Sequence, residues 1–209
     1  MEKYIVIGDS GHAKVITDCI ASSGDSVIAY LDDKYNEIFY ENEIVKGPVA
    51  QIHSFLKQDI KVVIAVGNNI IRKKIVDYLN IPNEKYGVIV HKSAIVSENA
   101  LIENGTVIMP NCVINAGAKI GKQTIINTGS IIEHDCEIFD FAHISPGTVL
   151  TGGVVVEEGT QIGAKSVVIP LVNIGEWSMI GAGSTVINDI GDYVTAVGSP
   201  AKVIRKKEA

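Results

Sequence analysis

Aliphatic residues recur through the second part of the chain with a period of six. Ile89, Ile95, Leu101, Val107 and Val113 share one register; after a one-residue insertion a second runs Ile120, Ile126, Ile132, Ile138, Ile144, Leu150, Val156, Ile162, Val168, Ile174, Ile180 and Val186. Every place holds Ile, Leu or Val, types that make up roughly a quarter of an ordinary chain, so chance does not produce the run. Four residues beyond each place of the second register stand Thr124, Ser130, Cys136, Ala142, Thr148, Val154, Thr160, Ser166, Val172, Ser178, Ser184 and Ile190, nearly all small. A large aliphatic followed by a small residue at a turn is what a triangular solenoid needs: each short face gives one inward wedge, and each corner has little room.

The preceding segment has another pattern. Apolar alternation predicts strands over residues 4–7, 26–31, 61–66 and 86–90, and helical spacing predicts helices over 12–22, 49–57 and 70–79. The expected organisation is therefore a small Rossmann-like α/β subdomain over residues 1–88, followed by a solenoid over 89–209.

Composition narrows the partners. The chain has 209 residues, 46% of them hydrophobic, enough for a packed core. A net charge of -6 argues against nucleic acid or an anionic membrane as partner. The first residues show no basic segment followed by a long apolar run and cleavage site, so a cytoplasmic location is expected. Cys19, Cys112 and Cys136 are widely spaced and odd in number, which suits reduced core thiols.

Candidate chemistry gathers at two places. In the first subdomain the turn IGDSGHA places Gly8 and Gly11 before a helix, with His12 following; backbone N–H groups there can face a phosphate. The second strand ends in Asp32 and Asp33 and the third in Gly67 and Asn68, with Arg72, Lys73 and Lys74 beyond. Polar groups at the carboxyl ends of parallel strands line the crevice where such sheets bind ligands. The carboxylates suit a ribose or a base edge and Asn68 a uracil-like amide. Arg72 to Lys74 read equally well as a solvated helix face.

The second place is IIEHDCEI. His134 is neither wedge nor corner residue and should point outward, with Gly152 one eighteen-residue coil further on. An adjacent carboxylate, Asp135 or Glu133, can orient a histidine that acts as a general base. His91, His134 and His143 all fall in the repeat, but counting hexads in threes separates them within one subunit, so no metal site is expected.

The repeat resembles the hexapeptide-repeat acyltransferases, whose fold is a left-handed parallel β-helix. GDSGHA, YLDD, AVGNNIIRKKI, HKSAIVS, INTGSIIEHDC, HISPG and GSPAK together resemble the NeuD/PglD-type sugar acetyltransferases over essentially the whole chain. That resemblance implies a UDP-sugar-binding first subdomain, a homotrimer and acetyl-CoA as donor. It implies His134 as general base with Asp135 supporting it, an aspartate where the bacillosamine-pathway branch has a longer glutamate. It further implies Asn127 at the acceptor and His143 at acetyl-CoA. Bare surface at Gly152, Ala164 and Ala182 suits a pantetheine arm, and Lys202 closes the G-x-P-A-K ending beside the coenzyme. The expected reaction is acetylation of the 4-amino group of a UDP-4-amino-4,6-dideoxy-sugar. Two alternatives stay open: O-acetylation of a sugar hydroxyl, as with sialic acid, and a non-catalytic solenoid scaffold.

Overall fold

The structure, a computed structural model, describes residues 1–206. The first part runs β1 (Lys3–Ile7), α1 (Gly11–Ser22), β2 (Ser26–Leu31), β3 (Phe39–Glu41), β4 (Ile44–Gly47), α2 (Ile52–Phe55), β5 (Ile60–Ile64) and α3 (Asn69–Leu79). Its sheet has the order β3-β4-β2-β1-β5, parallel except for β3. Strand β1 lies between β2 and β5 and is covered on both sides, which explains why Tyr4 to Ile7 are apolar without alternation and all buried.

Two expectations for this part need correction. The helix over 49–57 is a 3-10 turn, Val49–Gln51, leading into the single turn of α2. The strand over 86–90 divides: Tyr86 makes one parallel bridge to Val62, and Ile89–Val90 belongs to the solenoid. Gly87 sits between them because a Cβ there would lie 2.5 Å from the Tyr4 ring. The β3–β4 hairpin was not anticipated. Its loop residues Asn42 and Glu43 adopt φ of 51° and 68°, as a tight hairpin turn requires, but Asn-Glu lacks the glycine that announces one.

From β6 (Ile89–Val90) to β22 (Thr185–Val186) two-residue strands alternate among three parallel sheets, forming a left-handed parallel β-helix. Each residue pairs with the one eighteen positions on, as Ile131 does with Val149 and Ile132 with Leu150. The inward register is continuous: Val90, Val96, Ile102, Ile108 and Ile114 lead straight into Ile120, and no residue is inserted, since Ile114 pairs with Ile132. Ile95 and Leu101, expected as wedges, are 68% and 63% exposed. The ambiguity is physical, because both residues of these early strands are aliphatic and a spacing of six fits either. Ile89 and Val107 also point outward, yet are buried, because Tyr4, Val6, Ile16, Ile20 and Val63 of the first part share one core with them.

The small corner residues are all buried. Their hydroxyls reach up to the next coil: Thr124 Oγ1 donates to the Phe139 carbonyl at 3.1 Å, Ser130 Oγ to Ser145 at 3.0 Å, and Ser166 Oγ to Gly181 at 3.0 Å. A buried hydroxyl without such an acceptor would be destabilising, so corner and coil spacing are set together. The antiparallel pair β23 (Val194–Val197) and β24 (Lys202–Lys206) ends the described chain. Among the described residues no helix is long and apolar enough to cross a membrane.

The register has a direct test in urea unfolding. Ile108→Ala, inside the coil, is expected to cost about 2–5 kcal/mol, whereas Leu101→Ala on the open face should stay within about 0.5 kcal/mol. A large loss at Leu101 would restore the insertion.

Candidate active site

Every coil has three corners, and the chemistry is divided among them. In one coil the first corner is residues 127–130, the second 133–136 and the third 139–142. The face between third and first corners carries Ile89, Val107, Ile125 and His143, and the α/β part packs on it. The face between first and second corners carries Ile95, Val113, Ile131, Val149 and Val167 outward, an uncovered aliphatic column. The remaining face turns Leu101, Lys119, Glu137, Val155 and Asn173 outward, with Lys119 and Glu137 paired at 2.7 Å.

At the second corner His134 is exposed, and its Nδ1 lies 2.9 Å from Asp135 Oδ2. The shorter acid therefore reaches the ring, and Asp135 rather than Glu133 is the carboxylate that meets it. Asp135 holds φ of 58°, with its N–H donating to the Ala116 carbonyl one coil below. Its Oδ1 sits where a Cβ on Gly117 would come within 2.4 Å, so Gly117 makes room for it. Above the ring, a Cβ on Gly152 would lie 2.5 Å from His134 Nε2. Glycine is thus what allows the imidazole to stand against the next coil. A carboxylate on Nδ1 fixes the proton there and leaves Nε2 as the basic nitrogen.

His143 lies on the covered face, 9% exposed. The Asn127 amide nitrogen donates to its Nε2 at 3.0 Å, while Asn127 Oδ1 accepts from the Thr128 N–H. The proton therefore resides on His143 Nδ1, which is buried without a partner among the described residues. Burial, then the Arg72 guanidinium and His12, push its pKa down to about 4. His12, on α1, shares this setting: its Nε2 is a buried atom without a partner among the described residues, and burial followed by Arg72 lowers its pKa.

A cavity of about 320 Å³ opens at the carboxyl ends of β1, β2 and β5, with Gly8, Asp32 and Asp33 in its wall. Asp32 accepts from the Asp9 and Lys34 N–H groups, and Asp33 from that of Val49. Gly11 opens α1, with nothing within 4 Å of where its Cβ would be, and Ser10 makes no side-chain cap. Asn68 does not face this cavity. Its side-chain oxygen caps α3 through the Ile71 N–H, and it borders a separate cleft with Gly159 and Trp177. Gly67 carries its carbonyl to Arg72. A solvated basic face does not describe this stretch: Lys73, half-buried, pairs with Asp77 and lies over the Phe141 ring, Arg72 is 1% exposed and Lys74 lines the cavity. Sequence reasoning missed Ile71 and Tyr78, which also line it. Their helical spacing was the available signal, but Ile71 and Tyr78 read as ordinary apolar positions.

Ala164 and Ala182 stack on the first corner, Ala164 half-buried and Ala182 exposed. The neighbouring glycines answer to packing: a Cβ on Gly163 would strike the Ala182 nitrogen at 2.5 Å, and one on Gly181 the Val197 side chain at 2.7 Å. Lys202 begins β24 and is exposed. Within this chain the first-corner groups and His134 at the second corner are not brought together.

These features define a hexapeptide-repeat acyltransferase with an added α/β part. Residues 3–79 match the PglD N-terminal domain family, and residues 99–134 match the bacterial transferase hexapeptide (six repeats). UDP-N-acetylbacillosamine N-acetyltransferase of Bacillus subtilis (strain 168) is 43% identical over 112 residues, 52% of each chain. The aligned stretch thus spans about half of that curated relative. Among solved structures, a histidine variant of GDP-perosamine N-acetyltransferase from Caulobacter crescentus, in complex with CoA and GDP-perosamine, superposes with a TM-score of 0.90 at 31% identity, covering 99% of this chain and 98% of that one. The acetyltransferase domain of PglB from Neisseria gonorrhoeae FA1090, in complex with acetyl coenzyme A, superposes with a TM-score of 0.88 at 32% identity, covering 97% and 99%. The chain belongs to the NeuD/PglD-type family of hexapeptide-repeat sugar acetyltransferases.

Because His143 is held neutral with a depressed pKa, its contribution to stability is complete above its unfolded value near 6.5 and is lost as pH falls through about 4. His12 acts with the same sign. Thermal melts across that range should therefore show a steep acid limb. His143→Gln is expected to flatten it, by up to about 3 kcal/mol between the two limits; an unchanged limb would contradict the assignment.

Proposed function

We propose that the protein transfers acetyl from acetyl-CoA to the 4-amino group of a UDP-linked 4-amino-4,6-dideoxy-sugar. The observation that carries this is the His134–Asp135 pair, seated against Gly152 at an open corner. In the reaction the amine nitrogen attacks the thioester carbonyl while His134 Nε2 takes its proton, with Asp135 holding the ring. The tetrahedral intermediate collapses, the C–S bond breaks, and the proton passes to the departing CoA thiolate. The Gly152 N–H, without a backbone acceptor among the described residues, suits the oxyanion. The Asp32–Asp33 cavity takes the nucleotide. The curated relative acting in the bacillosamine system supports UDP over the GDP of the perosamine structures.

The site is shared between subunits of a homotrimer. In a three-fold assembly of parallel prisms, the face that points to the axis is flanked by two corners, and each first corner abuts a neighbour's second corner. The aliphatic column from Ile95 to Val167 is the face such an assembly would bury, with Ile95 now 68% and Val167 40% exposed. His134 of one subunit then meets Asn127, His143, Ala164 and Ala182 of the next. The acetyl-CoA arm lies in the seam, and Lys202 is near its end.

Free-thiol release with acetyl-CoA and a panel of UDP- and GDP-linked amino-sugars tests the reading. The wild type should turn over UDP-4-amino-sugars, and His134→Ala should lose about 10²–10⁴ in kcat while still binding acetyl-CoA and UDP. Equal turnover by His134→Ala would remove the base, and preference for a sugar hydroxyl would move the acceptor to oxygen.

A further inference from the structure

Among the described residues Arg72 is the largest fully buried side chain; it carries a charge, and no carboxylate pairs with it. A buried cation without a counter-ion is costly and persists only where its donors are satisfied. Here they are. Nε donates to the Gln123 carbonyl at 2.8 Å; Nη1 to those of Val66 and Gly67 at 3.0 and 3.3 Å; Nη2 to Asn69 Oδ1 and the Phe141 carbonyl, each at 2.8 Å, and to that of Ala142 at 3.3 Å. Asn69 in turn donates to the Gly159 carbonyl at 2.9 Å.

The acceptors form a pattern. Gln123, Phe141 and Gly159 are each eighteen residues apart, the third-corner position of three successive coils, and all have positive φ, at 55°, 59° and 66°. One turn of α3 thus grips one column of the solenoid. The same guanidinium holds Val66 and Gly67, the turn after β5, and Val66 lines the cavity assigned to the nucleotide. On the solenoid side Phe141 and Ala142 run directly into His143.

We infer that Arg72, assisted by Asn69, is a positioning residue for acetyl transfer: it fixes the nucleotide cavity at a set height and distance from the coil that carries His143 and Asn127. The inference rests on the functional reading above and goes beyond it, because Arg72 touches neither substrate nor the reacting atoms. Only a planar fork with five donors can serve this many carbonyls from one side chain; a lysine ammonium has three donors and no fixed plane. The nucleotide cavity would survive loss of the clamp, whereas the placing of the sugar against the acetyl group would not. Misplacement by about an ångström can lower turnover about a hundredfold without weakening binding.

The test uses the full-length protein as Arg72→Lys and, separately, Asn69→Ala. UDP affinity is read by calorimetry, and acetyl transfer to a UDP-amino-sugar is read per CoA-binding site, so that misfolded protein is not counted. Arg72→Lys is expected to keep UDP affinity and KM while kcat falls about a hundredfold. Asn69→Ala should lower kcat about tenfold, the worth of one charge-assisted hydrogen bond, and it carries the test if Arg72→Lys does not fold. Wild-type kcat in both variants, or a loss confined to UDP affinity and KM, overturns the clamp. A wild-type protein that acetylates no nucleotide-linked amine overturns instead the functional reading beneath it.

Discussion

The pairing of each residue with the one eighteen positions on is the constraint from which the rest of this molecule follows. Because the backbone ladder fixes that interval, every position of one coil stands directly above its counterpart in the next, and function is written in columns. His134 stands beneath Gly152, and Asp135 above Gly117. Gln123, Phe141 and Gly159 present a line of carbonyls to α3. A single inserted residue would rotate each of these columns out of register, and the chain carries none between Ile89 and Val186.

The division of chemistry among the three corners is a second consequence. A triangular prism has no interior cleft; its core is filled by wedges such as Ile144 and Leu150. Reacting groups must therefore stand on edges, and edges become enclosed only when something is laid against them. The α/β part covers one face through an apolar core and the Arg72 clamp. The aliphatic column between Ile95 and Val167 is the surface a second copy would cover, and the edge bearing His134 borders it.

Much of this was legible in the sequence, and the rest was not for identifiable reasons. The second register of wedges was readable because Ile120, Ile138, Ile144, Ile162, Ile174 and Val186 each follow a polar outward residue, and a spacing of six then fixes the inward places between them. The first was misread by one residue because pairs such as Ile95–Val96 and Leu101–Ile102 offer two aliphatics for one inward place. His134 stood out because the scaffold asks for no histidine there, but adjacency alone could not choose between Glu133 and Asp135, and the contact with Asp135 is seen only in the structure. The roles of Asn68 and Arg72 were hidden: capping and interdomain docking depend on which way α3 faces, which local spacing does not encode. The β3–β4 hairpin was hidden because Asn42 and Glu43 adopt positive φ without glycine.

The central claim is that base and cofactor wall come from different subunits. Co-expression of His134→Ala with Ala182→Trp, the latter blocking the pantetheine seam, measures it. Each variant alone should be inactive. In random mixed trimers about a quarter of the seams join an intact base to an intact wall, and acetyl transfer should return to about that fraction of the wild-type rate. Inactive mixed trimers, from parents that both fold and assemble, would place the whole site within one subunit and contradict the account.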